Sequence, residues 1–63
     1  MSTVNELAEQ IKLLYPLQDK QQGIRYRVVD ELAGTTELEA VTGQPRYVPT
    51  HSLQDSSRWQ FQV

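Results

Sequence analysis

With no cysteine among its 63 residues, the chain has neither disulfides nor thiolate-bound zinc, two of the devices by which very small domains compensate for a thin core. A domain of about 60 residues buries only roughly 60% of the surface that its unfolded chain exposes. Ordering each residue costs about 1.5 kcal/mol, and apolar burial in so small a scaffold does little more than offset that cost. One domain spanning residues 1–63 is therefore expected, with nearly every large apolar side chain committed to the core. The single histidine, His51, excludes a histidine metal site within one chain. No cofactor and no metal is expected.

The first helical signal is a stripe. Val4, Leu7, Ala8, Ile11, Leu14 and Tyr15 recur at spacings of three and four, the period of one helix face. Thr3 followed by Glu6 has the capping-box spacing. Pro16 disfavours helical geometry at Tyr15 and lacks the N–H that would continue the ladder. The pattern predicts an amphipathic helix over residues 3–15, too short to be stable without a surface to cover.

After a polar connector from Gln18 to Gly23, the period changes to two. Ile24, Tyr26 and Val28 alternate with Arg25, Arg27 and Val29, and Leu38 and Ala40 alternate with Glu37, Glu39 and Val41. Strands are predicted over residues 24–29 and 37–41, joined by a loop of about five to seven residues. Any register that pairs their apolar sides also sets Glu37 and Glu39 beside Arg25 and Arg27, a favourable cross-strand arrangement. A third strand over 46–48 is closed by Pro49, and alternation from Arg58 places a fourth over 58–63. Arg46, Val48 and Arg58 are assigned to the polar face with Arg25 and Arg27; Tyr26, Trp59 and Phe61 are assigned to the core under the helix. The expected fold is α+β, one N-terminal helix packed on a three- or four-stranded, mainly antiparallel sheet.

Little in the chain suggests chemistry. Thr50, His51, Ser52 and Asp55 contain the residue types of a nucleophilic triad, but neighbours in one loop seldom meet its geometry, and solvated loop side chains are the better reading. Asp30, Glu31, Glu37 and Glu39 are oxygen ligands suited to a hard cation, yet they lack EF-hand spacing and read more simply as solvated charges. No phosphate-binding glycine loop and no metalloprotease motif occurs. An enzyme is not expected.

The chain carries 6 Lys and Arg against 8 Asp and Glu, a net charge of −2, and its pI is about 5.1. Nucleic-acid modules normally carry a basic excess. No segment approaches the roughly 20 apolar residues of a membrane span, and the N-terminus lacks a signal-peptide pattern; a cytoplasmic protein is expected. The leading expectation is a non-enzymatic protein-binding module, a small regulator or inhibitor or an accessory subunit of a larger complex. It would dock through the charged sheet face or an edge strand, using Arg25, Arg27, Glu37, Glu39, Arg58 and Trp59. The partner is another protein, with a homodimer through the terminal strand as a further class. The alternative function is nucleic-acid binding by the sheet arginines.

Overall fold

Pro16 separates two kinds of structure. Before it, α1 runs over Thr3–Leu14; after it the chain forms β1 (Leu17–Asp19), β2 (Ile24–Leu32), β3 (Thr35–Ala40) and β4 (Pro45–Pro49), a 3-10 helix (Thr50–Gln54), and β5 (Trp59–Phe61). The structure, a computed structural model, describes residues 3–61, and for residues 3–5 the backbone alone. The side chains of Thr3 and Val4, and Gln62 and Val63 of the expected last strand, lie outside the described residues. The class is α+β, with a five-stranded antiparallel sheet in the order β4-β3-β2-β1-β5. That is one or two strands more than expected.

The additional strand is β1, in the segment expected to be a connector. Leu17 pairs with Tyr26 on one side and Phe61 on the other, so this three-residue strand joins β5 to the rest of the sheet. Asp19 then turns the chain: its Oδ1 accepts from the Gln21 and Gln22 N–H groups at 2.9 and 3.1 Å, an Asx-type turn.

The β2–β3 hairpin is tighter than expected. Leu32 pairs directly with Thr35, leaving Ala33 and Gly34 as a two-residue loop with φ of 53° and 83°. Two positive φ values mark a type I′ turn, whose twist matches that of paired strands. One register shift lies between Val28 and Asp30. Val29 is thus the extra residue of a bulge, which moves Asp30 and Leu32 onto the face that holds Arg25 and Arg27.

Side chains paired across an antiparallel sheet share a face, so the register assigns both faces. The inner face carries Leu17, Asp19, Tyr26, Thr36, Leu38, Ala40, Val48 and Trp59, all buried, together with partly buried Arg46 and exposed Ile24, Val28 and Glu31. The expected placement of Arg46 and Val48 on the polar face is corrected here: they pair with Leu38 and Thr36, both on the inner face. Phe61 also belongs to the inner side by register but is half exposed.

The cover of this face comes from the end of the chain. β4 and β5 lie at opposite edges of the sheet, so the segment joining them must cross it. Leu53 in that crossover packs against the buried cluster, Thr36 and Thr50 share a hydroxyl hydrogen bond of 2.7 Å, and Lys20 Nζ donates to the Ser56 carbonyl at 3.0 Å. Every buried apolar side chain among the described residues comes from a strand. α1 meets the sheet at its C-terminal end, where Arg25 Nε donates to the Tyr15 carbonyl at 2.9 Å. Leu7, Ile11 and Leu14 on its apolar stripe are 62%, 38% and 61% exposed. The molecule measures 45 × 23 × 19 Å, with a radius of gyration of 12.4 Å against roughly 11 Å for a compact chain of this length.

Candidate functional site: the open face of the sheet

Opposite the crossover, the second face of the sheet is open. Its register brings Gln18, Arg25, Arg27, Glu37, Glu39, Asp30, Leu32, Tyr47 and Gln60 to one side. Arg27 pairs directly with Glu39, and Nε donates to Oε1 at 2.6 Å. That hydrogen bond, with the charge of Glu39, raises the Arg27 pKa above its ordinary value. Both side chains are substantially solvated, so the pair adds little net stability.

The other arginines are partly engaged, with Arg25 Nη2 and Arg58 Nε buried without a hydrogen-bond partner among the described residues. Besides its bond to Tyr15, Arg25 reaches Gln18 Oε1 through Nη1 at 3.4 Å. Arg58 is partly buried and lies 5.8 Å from the Trp59 ring centroid. Trp59 itself, expected among the docking residues, is only 4% exposed and makes an edge contact with Tyr26 at 6.0 Å; it is part of the core.

Arg46 is the centre of a polar cluster on the inner face. Its Nη1 donates to Asp19 Oδ2 at 2.8 Å, to Tyr26 Oη at 3.1 Å and to Gln22 Oε1 at 3.2 Å. The guanidinium stands 5.0 Å from the Trp59 centroid and 5.5 Å from that of Tyr26, a cation–π arrangement. Asp19 is fully buried. Burial works to raise its pKa, but hydrogen bonds from Arg46 and from the Gln22 and Gln21 N–H groups, with the charge of Arg46, outweigh burial and hold it below the ordinary carboxylate value. The cluster is a structural tie between β4 and the β1–β2 turn.

At the far end of the open face the charge changes sign. Asp30 and Glu37, paired across β2 and β3, form no salt bridge among the described residues, and neither does Glu31, which the register turns to the inner side with Thr36. With Leu32, Thr35 and Tyr47 they line a shallow concavity of about 240 Å³. Leu32 is 79% and Tyr47 64% exposed. Tyr47 is of a residue type favoured at binding hot spots, but the sequence does not show that it shares a face with Leu32: Tyr47 reaches this face through its pairing with Glu37, and Leu32 through the bulge. The carboxylates do not converge on a cation site; among the described residues no three His, Asp or Glu side chains are grouped to hold a metal.

The loop constellation around His51 does not assemble. Ser52 Oγ donates to the Pro49 carbonyl at 2.7 Å, while Asp55 Oδ1 accepts from the Ser57 hydroxyl and N–H at 2.6 and 3.0 Å. The sheet edges are equally restrained. Hydrogen bonds Ala40 N–H to Gln44 O and Thr50 N–H to Gly34 O set the ladder phase, so that Pro45, Tyr47 and Pro49 face outward from β4. Two of those three have no N–H to offer, which protects that edge. On β5, the Trp59 N–H is already bonded to Asp55 O at 2.9 Å.

No helix among the described residues is long and apolar enough to cross a membrane. Comparison with known proteins finds no matching family model, no matching curated protein and no matching solved structure.

Proposed function

We propose that this chain is a non-enzymatic protein-binding module that docks through the open face of its sheet, as a small regulator or accessory subunit. The observation that supports this reading is how the charges on that face are disposed. Arg25 is tied to Tyr15 and Gln18 and Arg27 to Glu39, whereas Asp30 and Glu37 form no salt bridge among the described residues and lie beside exposed Leu32 and Tyr47. A surface of carboxylates around apolar and aromatic groups suits a protein segment bearing Lys or Arg next to an apolar residue. Charge matching of this kind acts chiefly on association rate and specificity. A phosphate backbone, by contrast, would meet repulsion there, and phosphate contacts need free basic groups.

The test is a photo-crosslinking amino acid in place of Tyr47, carried in the cell of origin, with a second protein bearing it at Gln21 on the opposite side. The expected outcome is a discrete protein adduct from position 47 that is lost when Glu37→Lys is added. Absence of an adduct at position 47, or an equal adduct at position 21, would contradict the assignment. Binding to RNA or DNA that weakens steeply with salt would favour nucleic-acid recognition instead.

A further inference from the structure

α1 raises a separate question, because its stripe is apolar, exposed and outside the core. A helix of 12 residues is marginal by itself in water, and among the described residues the buried cluster contains no side chain of α1. Leu7, Ile11 and Leu14 remain 62%, 38% and 61% exposed. Their spacings of four and three residues continue a seven-residue pattern, the spacing that lets two helices interlock along a seam.

The surface area indicates how much is left uncovered. The chain exposes 4702 Å², whereas a compact monomer of 7.3 kDa exposes roughly 4,200 Å². Covering that excess of about 500 Å² on each of two copies removes about 1,000 Å² in total, the lower bound for a specific interface.

The flanks of the stripe favour an identical partner. At about 100° per residue, Ala8 and Gln10 border the stripe, while Glu6, Glu9 and Lys12 fall on the opposite half of the helix. Two copies therefore bring no like charges together, and the seam offers no charge for a foreign helix to match. Connectivity sets the orientation. Each sheet body is attached at the C-terminal end of α1 and is five strands wide, roughly 19 Å at about 4.8 Å between neighbouring strands, whereas packed helices lie only about 8–10 Å apart. A parallel pair would force the two bodies into the same space; an antiparallel pair sets them at opposite ends, with Leu7 of one copy level with Ile11 of the other.

We propose that α1 is a homodimerisation element, which pairs antiparallel with α1 of a second copy through Leu7, Ile11 and Leu14. The interface is isologous, as closed two-fold dimers require.

Sedimentation equilibrium of the full chain, from about 1 µM to about 1 mM, tests this by mass action. The expected result is a mass that rises from 7.3 kDa to twice that value. Leu7→Glu, which puts a charge into the seam, is expected to weaken association by at least about 100-fold while leaving the near-ultraviolet signal of buried Trp59 intact. A monomer at all concentrations overturns the proposal, as does a dimer unaffected by Leu7→Glu. The orientation has its own readout, since the natural chain has no cysteine. An equimolar mixture of Leu7→Cys and Ile11→Cys chains is expected to oxidise mainly to the mixed disulfide. Predominance of the two symmetric disulfides would overturn the antiparallel arrangement.

Discussion

At the scale of single residues, Ala33 and Asp19 carry the clearest consequences. Ala33 is the one described non-glycine residue with positive φ, at 53°, a region that costs an L-residue with a Cβ roughly 1 kcal/mol. Asn tolerates it and is favoured in a type I′ turn. Ala33→Asn is therefore expected to stabilise the protein by about 0.5–1 kcal/mol, read as a higher urea midpoint at an unchanged m-value. A lower midpoint would contradict the turn assignment.

Asp19 has a lowered pKa when folded, so below about pH 4 the unfolded chain binds more protons than the folded one. The stability it contributes is complete at neutral pH and is lost as pH falls through the folded-state value. Asp19→Asn is expected to flatten that part of the acid limb in stability-versus-pH measurements. Arg46→Met leaves the carboxylate buried without its cation and is expected to cost about 2–3 kcal/mol at pH 7, water access through the partly exposed Arg46 position keeping the cost modest. It should also move the acid limb to higher pH. An unchanged limb in both variants would show that Asp19 does not couple folding to protons. Neither role was legible beforehand. In the sequence Asp19 reads as one of several polar connector residues, and Arg46 reads as a polar-face residue because a three-residue alternation beside a proline does not reveal which side faces in.

The elements show where periodicity informs and where it stops. Tyr26 and Val28 opposite Leu38 and Ala40 are readable because period two settles parity without knowledge of register; parity likewise puts Glu37 and Glu39 on the side of Arg25 and Arg27, but only the register pairs Arg27 with Glu39 and Glu37 with Asp30. β1 was not readable: a three-residue strand has too few positions to display a period, and Leu17–Asp19 is a strand only because neighbours pair on both sides. At Val29 the alternation does break, with Val28 and Val29 both apolar and Asp30 and Glu31 both polar, but such a break marks the end of a strand as readily as a bulge within one. The protection of β4 by prolines leads to a test. Replacing Pro45 and Pro49 together by Thr opens two outward N–H groups on that edge. Concentration-dependent light scattering is expected to rise, with little change in the near-ultraviolet spectrum. Unchanged scattering would show that the prolines do not guard the edge.

For the whole molecule, scarcity of core explains most of what is seen. Six apolar side chains are buried among the described residues, and the crossover from β4 to β5 supplies the cover that the sequence pattern had assigned to the helix. An amphipathic stripe in a sequence shows only that some surface must cover it; it does not say whether that surface belongs to the same chain. The same ambiguity applied to the charged face. Alternation places Arg25, Arg27, Glu37 and Glu39 together, but does not show that Glu39 is engaged by Arg27 while Glu37 faces Asp30 without a salt bridge among the described residues.

The proposed pairing leaves a sheet that stands on its own core and a helix that would depend on a second copy. Amide hydrogen exchange at two protein concentrations, about 10 µM and about 1 mM, measures both halves at once. Amides of Tyr26, Leu38 and Val48 are expected to be equally protected at both, while those of Leu7 to Leu14 gain protection only in the concentrated sample. Helix amides protected to the same degree at both concentrations, or unprotected even at the higher one, would contradict it.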